Sequence, residues 1–282
     1  MYNIKFVKDN GDVFLLGKDN NIVFDVDGLS GINIDLGKSQ GFSQVGESVD
    51  TQSVGGKTLK IKGVIFKDLA NIKKTMIKAF SPFSRGRLVF DDKYYLYVYV
   101  KESPTVAPTK KGGAFMLAVF APFPFFKEIA ESTFYIGTIT PSFSFPVNYE
   151  TPHVFGSKSE ARYINVVNDG DLKTAYRIDL TTEATSTNIT LTNLNTFEFL
   201  KLNGTLNVGE KISVYRDENN LLKAELINGS ETTDILSWID EESTLYELNV
   251  GDNLILASDD DGGANLTAQL TFNSVIGGVY ET

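Results

Sequence analysis

A single stretch of this 282-residue chain has the apolar spacing of an amphipathic helix, and nearly all the rest has that of short strands. In Lys67–Phe80 (KDLANIKKTMIKAF), five apolar side chains recur at helical spacing and share one face. They are Leu69, Ile72, Met76, Ile77 and Phe80. Asp68 is predicted as the N-cap, and Ser81-Pro82 as the end, because proline cannot continue the backbone hydrogen bonds. A mainly β chain with one embedded helix excludes most enzyme architectures and is typical of a scaffold.

Composition narrows the function further. The formal net charge of −10 would repel phosphates, which disfavours nucleic-acid binding over the whole surface. The absence of cysteine excludes disulfides, thiolate nucleophiles, zinc–thiolate sites and iron–sulfur clusters, and it fits folding in a reducing cytosol. The start, MYNIKFVKDNGDVFLL, lacks the apolar h-region of a secretory signal. The most apolar run, Phe115–Phe126, has 12 residues and is too short to span a bilayer, so we expect no membrane insertion.

The N-terminal half is predicted as strands around the helix. Alternation of apolar and polar residues, with turn residues between the runs, marks these strands. They cover 2–7, 13–16, 22–26, 59–66, 88–90, 94–100 and 114–121. Glu102–Gly113 (ESPTVAPTKKGG) is predicted as a loop. We assign residues 1–135 to an N-terminal domain and 136–158, where the composition shifts, to a linker or crossing segment.

Residues 28–58 differ from the strands on either side. The segment GLSGINIDLGKSQGFSQVGESVDTQSVGGKT is rich in Gly, Ser and Gln and poor in large apolar groups, so it buries little surface alone. One interpretation is a long exposed loop. The other is an extended arm or hairpin that packs on a neighbouring subunit, because structureless loops of this length are uncommon unless they have a function. The interface residues would then be Gly41, Phe42, Val45 and Val49.

The C-terminal part, 159–282, is predicted as a β-sandwich or jelly roll. Roughly ten short strands follow one another at the spacing typical of such folds. Glu210–Arg216 (EKISVYR) and Leu221–Ile227 (LLKAELI) flank the turn Asp217–Asn220 as a hairpin. Leu266–Phe272 (LTAQLTF) alternates almost perfectly.

No residue pattern predicts a catalytic, cofactor-binding or metal site. Gly37-Lys38-Ser39 and Gly56-Lys57-Thr58 resemble the end of a phosphate-binding loop, but Ile32 and Thr51 stand where that loop needs its first glycine. His153 is the only histidine, and any triad or multi-histidine metal site would depend on it alone. We interpret it as a surface or packing residue and expect neither enzyme activity nor a cofactor.

Three clusters leave alternatives open. Asp259–Asp261 suits either a calcium loop or an acidic turn between strands, although no bidentate Glu follows as in an EF-hand. Trp238 and Tyr246 are either stacking platforms for a sugar or buried core aromatics. The third cluster is a basic group that forms either a solvated helix face or a docking surface for an acidic partner. Its members are Lys67, Lys73, Lys74, Lys78, Arg85 and Arg87.

The order of the pieces resembles a known family. The N-terminal half contains in sequence GLSG (28–31), the Gly/Ser/Gln segment, LKIKGVIF, one helix, GRL (86–88), YYLYVYV and APFPFF (121–126). The C-terminal half adds GD (170–171), VGE (208–210), LNVGDN (248–253) and LTAQLTF with GGVY (277–280) behind it. Together they resemble the distal tail proteins of long-tailed, non-contractile bacteriophages of Gram-positive hosts, the siphophage tail family. The resemblance covers nearly the whole chain and depends on the order of loose motifs, and the acidic insertion at 259–263 departs from it.

The resemblance implies a structural protein of the phage tail tip or baseplate. It implies a hexameric ring of N-terminal β-sandwich-like domains, an arm that wraps the next subunit, and a C-terminal galectin-like β-sandwich that points outward. The implied partners are the tail tube protein, the end of the tape measure, and a tail-associated lysin, fibre or receptor-binding protein. DNA would pass through the lumen without specific binding. Six copies would carry a formal charge of about −60, and any part of it that lines the lumen would repel the DNA phosphates. The chain would be made in the bacterial host cytoplasm and reside at the virion tail tip.

Two other function classes stay open. One is a carbohydrate-binding β-sandwich module in host-surface adhesion, for which glycan binding by residues 155–282 should be lost in Trp238→Ala. The other is a hydrolase, for which turnover of cell-wall polysaccharide should follow the chain through gel filtration.

Overall fold

The computed structural model describes most of the chain. The described ranges are 3–110, 112–137, 163–218, 220–244, 246–263 and 265–278, with the backbone of two short strands at 139–141 and 156–158. His153 and most of the predicted linker lie outside these residues.

Strands make up most of the described residues. In the N-terminal part they are β1 (Ile4–Lys8), β2 (Val13–Leu16), β3 (Ile22–Asp27), β4 (Ile34–Ser39), β5 (Ser48–Val54), β6 (Lys57–Ile65), β7 (Arg85–Phe90), β8 (Tyr94–Thr109), β9 (Gly112–Ala121) and β10 (Phe126–Ile136). Further along they are β11 (Ile139–Pro141), β12 (Gly156–Lys158), β13 (Tyr163–Asn168), β14 (Arg177–Thr182), β15 (Ser186–Asn193), β16 (Phe199–Leu206), β17 (Glu210–Arg216), β18 (Leu222–Asn228), β19 (Glu231–Asp234), β20 (Gly251–Ser258) and β21 (Leu266–Ile276). The helix α1 (Leu69–Ala79) lies between β6 and β7, and 3-10 turns cover Lys18–Asn20 and Leu236–Trp238.

The chain divides into two compact units. The first comprises Met1–Ala130 with Ile276–Thr282, and the second Glu131–Val275. Each contains a contiguous apolar core. The domain limits expected from the sequence, 1–135 and 159–282, stay predictions.

Antiparallel strands build the first unit. Strands β2, β1, β7 and β8 are neighbours in that order, and β8 continues through β9 and β6 to β3. Period-two alternation sends one face of each strand inward, as in β6, where Leu59, Ile61 and Ile65 are buried. The core of this unit is rich in phenylalanine, in agreement with the preference of aromatic residues for strands.

The helix packs on this core by the stripe that the sequence predicts. Ile72 and Met76 are buried. Phe80, the residue after the last turn, is fully buried and stacks on Phe6 with ring centroids 4.6 Å apart. Ile77 is exposed, so the buried stripe is narrower than the predicted one.

The ends of α1 differ slightly from the prediction of 67–80. Asp68 occupies the N-cap position, but its backbone is left-handed (φ 51°) and its side chain makes no capping bond. The Asp68 carboxylate instead accepts a hydrogen bond from Asn71 Nδ2 at 2.8 Å. The helix ends before Ser81-Pro82, as predicted.

The predicted loop Glu102–Gly113 is wrong. Strand β8 continues to Thr109 and pairs with β9 as a long hairpin, with Thr109 opposite Gly112. Pro104 lies where the register shifts between Glu102 and Thr105, so its missing N–H falls at an irregularity of the ladder. Prolines that suggested a loop are therefore accommodated inside a strand.

The second unit is a β-sandwich, as the sequence predicts. One sheet contains β19, β18, β17, β14 and β21 in that order, and the other β13, β20, β15 and β16. Buried side chains from both sheets form one core. The predicted hairpin around Asp217–Asn220 is confirmed by the pairing of β17 with β18.

No helix in the part of the chain that the structure describes is long and apolar enough to cross a bilayer.

Candidate interaction site

Residues 33–54, here called the arm, form a hairpin. Its strands β4 and β5 pair with each other in a separate two-stranded sheet and with no other described strand. Every residue of both strands is exposed. An isolated two-stranded hairpin is marginally stable in water at best, because it buries so little surface. The structure thus shows a hairpin and not a structureless loop, while its packing on a neighbouring subunit stays a prediction.

The two faces of the arm differ in polarity. The register places Ile34 opposite Val54 and Leu36 opposite Gln52, and directly opposed residues share a face. Lys38 follows Leu36 by two positions, so its side chain lies on the same face as that of Leu36. Val49 lies directly opposite Lys38 and therefore belongs to this face too. Four half-exposed apolar side chains thus lie on one side of a thin hairpin. Exposed apolar surface gathered in this way marks an interaction site.

A β-bulge keeps Val49 on this apolar face. The register shifts between Gly37 and Lys38, so that Asp50 is an extra residue without an opposed partner. A Cβ atom at position 37 would overlap the Thr51 hydroxyl, so a larger residue there would require the Thr51 side chain to move. Without the bulge, Val49 would point to the opposite side.

The tip of the arm holds two apolar side chains in solvent. Gly41 N–H donates to Gln44 Oε1 at 2.8 Å, and Gln44 Nε2 donates to Ser48 Oγ at 3.1 Å. These bonds fix the turn from its own side chains. Phe42 and Val45 are fully exposed around it. A fully exposed Phe on a hydrogen-bonded turn is available for burial against a partner.

The arm is fastened at its base by a buried lysine. Lys57, at the start of β6, donates a hydrogen bond from its ammonium to the Leu29 carbonyl at 2.8 Å. The same ammonium lies 5.4 Å from the centre of the Phe126 ring. Burial lowers the pKa of Lys57, because removal from water disfavours its charge. Leu29 precedes the arm and Lys57 follows it, so this contact joins the two ends of the segment.

The four predicted interface residues all lie in the arm. Phe42 lies within the tip turn and Val45 follows it, Gly41 donates within the turn, and Val49 belongs to the apolar face. Sequence reasoning missed Ile34, Leu36 and Val54, although the alternation Ile34-x-Leu36 is visible in the sequence. A role of these residues in a subunit interface stays a prediction.

The two aromatic residues considered for sugar stacking lie in the second unit. Tyr246 is 7% exposed and belongs to the core, and its ring centroid is 5.4 Å from that of Tyr176. Burial raises the pKa of Tyr246 to about 12. Trp238 is half-buried against the core, with its ring over Gly204. Stacking on a sugar needs an open ring face, and the burial of Tyr246 does not favour that role.

The acidic turn is held by bonds within the protein. Asp259 Oδ1 accepts from the backbone N–H of Asp261 at 3.0 Å and of Gly263 at 2.5 Å. Asp260 Oδ2 accepts from Thr187 Oγ1 and Asn188 Nδ2. Within the described ranges, no group of three or more His, Cys, Asp or Glu side chains is arranged to hold a metal ion.

The remaining sequence candidates are dispersed. Of the two sequences that resemble a phosphate-binding loop, one lies in β4 and the other at the start of β6, and neither is followed directly by the helix that such a loop needs. The lysines of α1 are exposed. Arg85 pairs with Asp9 at 2.8 Å, and Arg87 lies over the Tyr95 ring at 4.8 Å, so both arginines contact their own unit.

Comparison with known proteins finds similarity in structure alone. No protein-family model matches the chain, and no curated protein sequence matches it. Its mainly β fold is nevertheless shared with phage hub and baseplate proteins.

One similar solved structure is that of the SPP1 Dit protein, described as a paradigm of the hub adsorption apparatus in phages that infect Gram-positive bacteria. The TM-score is 0.70 and the sequence identity 16%, and the match covers 98% of this chain and 99% of that one. A chain of the phage P2 baseplate in its activated conformation with Ca is similar with a TM-score of 0.50 and 12% identity over 99% of each chain. The resemblance seen in the sequence is thereby confirmed at the level of the fold.

Proposed function

We propose that this chain is a structural hub protein of a phage tail tip. The observation that carries the proposal is the arm, a hairpin with an uncovered apolar face and a fully exposed Phe at its tip, on a fold like that of SPP1 Dit. The fold supplies the class of protein, and the arm supplies a means of assembly. No catalytic step is part of the proposed role.

The arm of one copy binds the body of the next. Such a contact joins two different surfaces, so each copy offers one arm and receives another. Head-to-tail contacts of this kind close into a ring when the rotation per subunit divides the circle. The number six comes from the family resemblance, and the proposed assembly is a hexamer.

The ring joins the tail tube to the proteins that meet the host. Its partners are the tail tube protein and tape-measure end on one side, and a tail-associated lysin, fibre or receptor-binding protein on the other. DNA passes through the lumen without specific binding. If part of the net charge of −10 per copy lines the lumen, that wall repels phosphates and the DNA slides without sticking. The proposed location is the virion tail tip.

Measurement of mass in solution, with and without the arm, tests the proposal. The full chain, followed by native mass spectrometry and negative-stain microscopy, should form hexameric rings. Deletion of residues 33–54 should abolish the rings and leave both units folded, because the arm contributes nothing to either core. A deletion variant that still forms hexamers would contradict the proposed role of the arm.

A further inference from the structure

A polar pocket lies at the base of the arm. Its volume is about 270 Å³, room enough for an amino-acid side chain with water around it. Segments on both sides of the arm line it, together with one residue after β9. The lining residues are Gly28, Ser30, Gly31, Ile32, Asn33, Gly55, Gly56, Lys57, Thr58 and Pro124. We call this the base pocket.

The base pocket contains a buried cation without a buried anion. Lys57 is 7% exposed, and its ammonium contacts a carbonyl oxygen and a ring face. Burial lowers its pKa, and no carboxylate among the described residues acts to raise it again. A lysine buried to this degree is normally paired with an anion. The pocket therefore has the charge to receive a carboxylate.

We propose that the base pocket binds the Asp50 carboxylate on the arm of a second copy of this chain. The inference rests on the proposed function, since it needs the arm to reach a neighbouring subunit. The neighbour's Asp50 would pair with Lys57, so that every arm is held at the base of the next one.

Asp50 is the acidic residue of the arm best placed for this contact. Glu47 already pairs with Lys38 at 2.9 Å. Asp35 alternates with Ile34 and Leu36 and so lies on the polar face. Asp50 is the bulge residue beside Val49, where burial of the apolar face would carry it out of water. A carboxylate moved out of water is stabilised when it meets a buried cation with good hydrogen bonds.

Because the chain contains no cysteine, introduced cysteines can form disulfides only with each other, which allows a cross-linking test. Full-length chains carrying Ser30→Cys at the pocket rim are mixed with chains carrying Val49→Cys beside Asp50, and the mixture is oxidised. We expect a mixed disulfide dimer in several-fold excess over a control mixture with Glu231→Cys on the exposed strand β19. A yield no higher than that control would overturn the proposal.

Charge removal tests the carboxylate–ammonium pair directly. Asp50→Asn on the exposed arm should lower the cross-linking yield and the affinity between subunits at least about tenfold, since breaking one partner of a buried charge pair has effects of that size. Lys57→Met should have a similar effect, and the two substitutions together should add little to either alone. Lys60→Met, on the same strand but exposed, is the matched control. Undiminished cross-linking in Asp50→Asn would overturn the proposal, even if Lys57→Met fails to fold.

Failure of this proposal is distinguishable from failure of the proposed function. If deletion of residues 33–54 abolishes the ring while Asp50→Asn and Lys57→Met leave it unchanged, the base pocket is not the contact, although the arm is. If the deletion leaves the ring intact, both proposals fail together.

Discussion

Replacement of Phe42 by serine should weaken self-association and leave the fold intact. Phe42 lies at the arm tip and is fully exposed, so its side chain stabilises neither core. Surface substitutions of this kind usually change the free energy of unfolding by less than about 0.5 kcal/mol. The thermal midpoint of Phe42→Ser should therefore match that of the unchanged chain.

The effect on assembly should be much larger. Full burial of a Phe side chain contributes about 1.5–3 kcal/mol, and all of the Phe42 side chain is available for burial. Because about 1.4 kcal/mol is a factor of ten in affinity, each subunit contact should weaken about 10- to 150-fold. A closed ring has as many contacts as subunits, so the loss accumulates around the ring.

Phe83 provides a matched control for this measurement. It is as exposed as Phe42 (98% against 104%) but follows α1 and lies outside the arm. Sedimentation velocity over a concentration series should show that only Phe42→Ser moves assembly to higher concentration, with thermal denaturation as the check on folding. Equal losses in Phe42→Ser and Phe83→Ser, or unchanged assembly in the former, would refute the assignment of the arm tip as a subunit contact.

Two further predictions concern the second unit. In Gly204→Ala the new Cβ would overlap the Trp238 ring, so we expect a loss of about 1–3 kcal/mol in unfolding free energy. The fluorescence of this single tryptophan should also shift. Thr205→Ala, at the exposed neighbouring position, is the control and should leave the emission unchanged. Burial holds the pKa of Tyr246 at about 12, so above pH about 10 the unfolded chain loses a proton that the folded chain keeps, and stability falls as pH rises. In urea titrations from pH 9 to 12, Tyr246→Phe should remove about 2–3 kcal/mol of that decrease. Tyr176, Tyr97 and Tyr215, whose pKa values burial raises in the same direction, contribute to the rest, and an unchanged slope would contradict the assignment.

Local pattern was enough to predict most elements of this fold. The apolar stripe of α1 and the apolar–polar alternation of strands such as β21 indicate which face each element buries. Because burial of apolar surface is the dominant favourable term in folding, these patterns predict the elements well. The β17–β18 hairpin was predictable for the same reason, with polar turn residues between two alternating runs.

The long β8–β9 hairpin shows where pattern fails. Pro104 and Pro108 resemble loop residues when read locally, because proline cannot donate to a ladder. Pro104 falls at a register shift of the ladder, and Pro108 lies opposite Gly113, so both positions depend on the pairing partner β9 and not on the segment itself. Trp238 is a similar case, since the space for its ring comes from Gly204 on a different element.

The sequence predicts the position of the arm in the chain but not which of its side chains form the apolar face. Its scarcity of large apolar residues indicated that it buries little alone, and the structure shows exposed strands. The apolar face depends on the bulge after Gly37, which no local periodicity reveals, because the shift returns Val49 to the side of Leu36.

Two features of the chain favour assembly, and each could supply what the other lacks. The arm exposes apolar surface that its own hairpin cannot cover, and the base pocket buries a cation that the described residues leave without a carboxylate. The chain as a whole is acidic, so copies repel one another at long range, and screening by salt confines that repulsion to about 10 Å at moderate ionic strength. Contact must then depend on short-range terms, which in our proposal are the burial of the arm face and the pairing of Asp50 with Lys57. Both terms place the proposed contact on a second copy, because among the described strands β4 and β5 pair only with each other.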